Sequence, residues 1–185
     1  MNLLAEVANA PLPAWQTYYE IVGASAGTLI GLQFVVIALL ATTRKRADRE
    51  SINAFGTPTV VHFGGALAVC AMMAAPWPSL LALSVALTAC GVGALSYAAK
   101  VFHRARQQTA YQPVWEDWLW HAILPCGVYA AFTAAALLLR VITQIALFVI
   151  AGAAIGLLFI GIRNAWDSVI YIVVADDGHD AAKSE

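Results

Sequence analysis

SINAFGTPTVVHFGGALAVCAMMAAPWPSLLALSVALTACGVGALSYAA, residues Ser51 to Ala99, runs for 49 positions without an Asp, Glu, Lys or Arg. A helix needs about 20 apolar residues to cross the hydrocarbon core of a bilayer. The stretch therefore reads as two crossings. Pro76-Trp77-Pro78 marks where they part. Proline brings no N–H to a helix and biases the residue before it away from helical geometry. Helices are required because lipid offers no partner to an open backbone group.

Working outward, charge-free runs recur at Ile21–Thr43, Trp118–Leu139 and Val141–Ile162, of 23, 22 and 22 residues. The reading is an all-α integral membrane protein, a bundle of about five transmembrane helices. The spans are about 18–43, 56–75, 79–102, 115–139 and 143–162. They belong to one transmembrane domain, 18–174, whose last helix extends beyond the membrane over 163–174. An outer-surface segment, 1–17, precedes it, and a disordered acidic cytoplasmic tail, 175–185, follows. Composition agrees: 61% of the 185 residues are hydrophobic and 11% charged, and mean hydropathy is +0.74. Soluble domains carry about 25% charge. The net charge of −1 argues against a nucleic-acid partner, which demands a basic excess.

The last junction carries no Gly or Pro. A single helix over 118–162 would be about 67 Å long, too long for a bilayer. A break is expected at Arg140, with Thr143 capping the next helix; a tilted or re-entrant segment is the alternative. Nine of ten basic residues fall on one side: Arg44, Lys45, Arg46, Arg49, Lys100, Arg104, Arg106, Arg163 and Lys183. Basic loops stay cytoplasmic. The N-terminus is thus expected outside and the C-terminus inside, in a plasma or bacterial inner membrane. Trp15, Tyr18, Tyr19 and Trp77 suit the outer interface, and Trp115, Trp118, Trp120 and Trp166 the inner one. Met1–Gln16 lacks the basic start and apolar core of a signal peptide.

Gly23, Gly27 and Gly31 recur every four residues, and Gly152 and Gly156 repeat the spacing. Four residues advance a helix by about 400°, so each set is expected on one helix-packing face. Small residues let helices approach closely in lipid. The partner helix lies in the same chain, in a second copy or in another subunit. Gln33 sits off that face and is expected to meet an interhelical partner or a wet crevice.

A polar layer is expected near the inner interface: His62, one turn after Pro58 in the first turn of its span; His121, early in its span; and Arg163 with Asp167, one turn apart. Pro125 removes the helical partner of the His121 carbonyl and is expected to kink the helix. Together with Gln33, these form a possible ion or proton site. Each histidine can equally be a hydrogen-bonded interface residue, and Arg163 with Asp167 a surface pair. A haem between the two histidines is a further alternative. Cys70, Cys90 and Cys126 are isolated and read as packing residues. No metal-ligand spacing, phosphate loop or nucleophile motif occurs, so no metal and no cofactor are expected.

The functional expectation is a non-enzymatic membrane protein working through helix packing, as a small homo-oligomer or an accessory subunit. Its partners are then the bilayer and either itself or another membrane subunit. The alternatives are a narrow ion or proton channel formed by an oligomer, and a membrane enzyme or redox carrier using the histidine layer. Buried Asp, Glu, Lys or Arg, the usual mark of intramembrane chemistry, is absent from the middle of the spans.

Overall fold

A computed structural model describes residues 12–43, 49–107 and 119–181. The basic residues Arg44, Lys45 and Arg46, the 108–118 connection and both chain ends lie outside the described residues, so the expectations placed there are not addressed. Among the described residues all regular structure is helical. A 3₁₀ turn, Leu12–Trp15, leads into α1 (Gln16–Thr43). Then come α2 (Arg49–Ala74), α3 (Leu80–Gln107), a π turn (Leu119–Ile123), α4 (Leu124–Leu138) and α5 (Thr143–Ala181).

Four stretches are long and apolar enough to cross a membrane: Leu12–Ala38, Leu80–Val101, Leu119–Leu138 and Thr143–Asp167. The segment expected as the second span gives a shorter apolar helix, Thr59–Ala74. Several helices overrun the expected limits. α2 begins at Arg49, so Pro58 lies inside it rather than in its first turn. α5 continues through Ala181, so most of the expected disordered tail is helical. Its 39 residues measure about 58 Å, so α5 outruns any bilayer crossing.

The α2–α3 turn forms where the prolines place it. Trp77 N donates to the Ala75 carbonyl at 3.0 Å, and its indole Nε1 donates to the Met72 carbonyl at 2.5 Å. Ser79 caps α3: its hydroxyl accepts from Ala82 N at 3.1 Å, which satisfies one orphan donor of the first turn. The break between α4 and α5 also stands, at Leu139–Ile142. Val141 N and Ile142 N both donate to the Leu138 carbonyl, at 2.9 and 3.0 Å. The cap is Ile142 rather than Thr143, because the Ile142 carbonyl accepts the first helical bond, from Ala146 N at 2.9 Å.

The helices do not pack in chain order. α1 lies on α2, α2 on α5, α5 on α4, and α4 on α3. α5 is the centre: 56% of its apolar window is buried, against 11% for α1. Leu147, Ile150 and Ala154 of α5 are fully buried, as are Leu83 and Leu87 of α3. At the Trp15 end, the Tyr18 hydroxyl donates to the Ala151 carbonyl at 2.7 Å. The Trp15 ring meets Phe148 edge-on, with centroids 4.7 Å apart. Both contacts tie α1 to α5.

Between α3 and α4, the buried Ser84 hydroxyl donates to the Ala136 carbonyl at 2.6 Å. Hydrogen bonds between membrane helices average about 0.6 kcal/mol and reach about 1.7. Ser84→Ala is expected to cost that much in reversible unfolding in micelles. A variant as stable as the parent would show that the bond adds nothing.

Close helix approach falls at glycines the four-residue spacing does not select. A Cβ at Gly161 of α5 would lie 2.5 Å from Phe63 Cε1 of α2. At Gly91 of α3 it would collide with the Thr133 hydroxyl and lie 3.2 Å from Phe132 Cδ1, both on α4. At Gly65 of α2 it would meet Leu157 Cδ1 of α5 at 3.3 Å. Within the expected stripes only Gly23 is tight, 3.1 Å from Cys70 Cβ, while Gly156 makes an ordinary contact with Val128 at 3.5 Å. Gly27, Gly31 and Gly152 have nothing within 4 Å. Of the three α1 glycines, only Gly23 therefore meets a neighbouring helix of this chain closely. Steps of four residues drift by about 40° each, so Gly31 sits about 80° round from Gly23. The buried side of α1 runs along Tyr19, Val22, Gly23 and Ala26.

Candidate functional site

Of the polar groups expected at one depth, His62 and His121 border one small cavity. His62 is buried on α2. Its Nδ1 lies 2.9 Å from the Tyr129 hydroxyl of α4, with ring centroids 5.9 Å apart. The phenol donates to Nδ1 when that nitrogen is bare, and accepts from it when it carries the proton. The Tyr129 carbonyl accepts from the Thr133 hydroxyl at 2.7 Å.

Beside this pair is a space of about 20 Å³. His62 and Tyr129 border it, with Tyr97, Ala98 and Val101 of α3, His121 and Ala122 of the π turn, and Pro125 and Cys126 of α4. Ala122, Pro125, Cys126 and Tyr129 follow three- and four-residue steps, so they share one helix face. His121 is exposed at the rim, whereas His62 lies inside. Comparison with protein-family models, curated proteins and solved structures gives no match.

Pro125 acts as a spacer here. The helix ahead of it widens into the π turn Leu119–Ile123, where a simple kink was expected. Proline lacks the N–H that the fourth carbonyl before it would use. A π turn shifts the hydrogen-bond step to five residues. His121 lies within that turn.

The other expected members stand apart from the cavity. Arg163 pairs with Asp167 on α5, and its guanidinium lies 5.8 Å from the centre of the Trp120 ring. Trp120 adjoins His121, so the pair flanks the π turn without bordering the cavity. Both side chains are about one-third exposed, and such pairs contribute at most about 1 kcal/mol. Gln33 is half-buried on α1 and does not border the cavity.

A haem does not fit a space of about 20 Å³, which admits one water-sized group. Among the described residues no three His, Cys, Asp or Glu side chains are placed to hold a metal ion. The three cysteines are free thiols, Cys70 being the buried one. The groups around this cavity, two imidazoles, two phenols and a thiol, can exchange hydrogen bonds and protons.

Tyr129, Tyr97 and Cys126 are the members that sequence reading overlooked. Tyr129 follows Pro125 by four residues, as Pro125 follows His121. That spacing was the available signal on α4. Nothing in the sequence indicated which helix would meet it.

Proposed function

We propose that this protein is a non-enzymatic, multi-pass membrane subunit that works by packing its helices against a second copy or another membrane subunit. The observation that carries this reading is the outer lane of α1. Ala24, Gly27, Thr28 and Gly31 are exposed there. A Cβ at Gly27 or Gly31 would meet nothing. The Thr28 hydroxyl is turned back onto the Ala24 carbonyl at 2.9 Å. The lane therefore presents neither bulk nor an unsatisfied donor. In lipid, helix association rests on close van der Waals contact along such lanes. α1 is also the least buried of the candidate spans.

Five crossings, with the N-terminus outside and the long end of α5 in the cytoplasm, accompany this reading. The distribution of basic residues supports that orientation.

The experiment is Gly27→Leu in the full-length chain, extracted in mild detergent and weighed intact. The parent is expected to carry a second copy or a companion subunit, and the variant to lose it. The variant should still fold, because a Cβ at position 27 meets nothing within 4 Å in its own bundle. A parent that emerges alone, or a variant that keeps its companion, overturns the reading.

A further inference from the structure

The cavity beside His62 has the size and the lining of a water site. A water needs about 10–15 Å³ of such space and two to four polar partners. The space here is about 20 Å³. His62, Tyr129, Tyr97 and His121 all border it. It has a wet end and a dry end, because His121 is exposed while His62 and Tyr129 are buried.

We propose that this cavity is a proton-uptake site, in which one water joins His121 at the mouth to the His62–Tyr129 pair inside. Before uptake, His62 Nδ1–H donates to the Tyr129 oxygen, and the bare Nε2 accepts from the water. A hydronium ion at the His121 end gives up a proton. The water passes one proton inward as it receives one. An O–H bond breaks, an Nε2–H bond forms, and the ring becomes imidazolium. Its Nδ1–H bond to Tyr129 is unchanged, and neutral water is left outside. No electron moves and no other reactant is needed.

The side chains that border the cavity with His62 include no Asp or Glu. Tyr129 and Cys126 face it from α4, Tyr97 from α3 and His121 from the π turn. On α5 the ionisable groups at this end, Arg163 and Asp167, are paired with each other. The described titratable residues of α1, Tyr18, Tyr19 and Glu20, sit in its first turns. That is the end where Gly23 meets Cys70, two turns along α2 from His62. Two imidazolium rings across a space one water wide repel, so a proton on one ring disfavours a proton on the other.

The test is ¹⁵N-histidine magnetic resonance of the full-length chain in lipid vesicles, from about pH 9 down to about pH 3. Above the transition, His62 is expected to carry its proton on Nδ1 and to show exchange with water at a bare Nε2. On acidification an Nε2–H signal should appear. Ala98→Leu fills the cavity without replacing a polar group and is expected to cut the water exchange at His62 by at least about tenfold. Ala98→Val is the milder variant should leucine prevent folding. Three results overturn the proposal: a proton on Nε2 throughout, His62 signals that do not change with pH, or a filled cavity that leaves the water exchange intact.

Discussion

Gly161→Leu is expected to abolish recovery of the folded chain, and Gly161→Ala to cost about 1–3 kcal/mol. The reason is local and severe. A Cβ at position 161 would stand 2.5 Å from Phe63 Cε1 and 2.7 Å from Cδ1. The Phe63 ring is 1% exposed, so it has little room to turn aside. The clash falls between α2 and α5, the most extensive packing of the central helix. Either α5 lifts away from α2 or the ring leaves its well, and both lose close packing. Phe63→Ala alone should cost about 3–5 kcal/mol by leaving a cavity. Combined with Gly161→Ala it should cost less than the two added, because the new methyl occupies vacated space. A coupling of about 1 kcal/mol or more between touching residues is the expected reading. Strict additivity, measured by reversible unfolding in micelles, would show that the two do not meet. Gly27→Leu is the control: the same residue type is replaced in an apolar helix, with no neighbour in the chain.

That contrast shows where sequence reading stopped. The helices were legible because charge is excluded from hydrocarbon, and because Pro76 and Pro78 leave only one place for the α2–α3 turn. The break at Leu139–Ile142 was legible from length alone. Helix ends were not, since Arg49 and Asp167 mark where polarity begins rather than where hydrogen bonding stops. Packing order was hidden for a related reason. In a soluble helix the apolar stripe names the buried face. Here Phe148, Phe159 and Ile145 are well exposed, while Leu147, Ile150 and Ala154 are fully buried. These exposed faces are as apolar as the core, so the pattern does not tell them apart. Gly161 and Gly91 then look no different from Gly27 and Gly152. The shared depth of His62 and His121 could be read from chain position. Their common neighbour Tyr129 could not, because it depends on the register between α2 and α4.

Tyr129→Phe is expected to destabilise the chain by about 1–2 kcal/mol, although it removes a single oxygen. His62 is 4% exposed and holds that hydroxyl at 2.9 Å. A buried polar group deprived of its partner bears its full desolvation cost, about 1–3 kcal/mol. For helices apolar enough to cross a bilayer the scale is smaller, since measured bonds between membrane helices reach about 1.7 kcal/mol. Leu has no polar atom to leave stranded, so His62→Leu combined with Tyr129→Phe should recover most of the loss. Replacing both members of a buried hydrogen bond by apolar groups is close to neutral. Unfolding of the parent, the two single variants and the double variant closes the cycle. Should the double variant be the least stable of the four, the pair is a structural tie and its chemistry is incidental. Recovery in the double variant means that an apolar core would serve the fold equally well. The imidazole and phenol would then be superfluous to stability, which leaves the cavity they border as the reason for having them. On that outcome the proton, rather than the packing, is what His62 and Tyr129 hold in common.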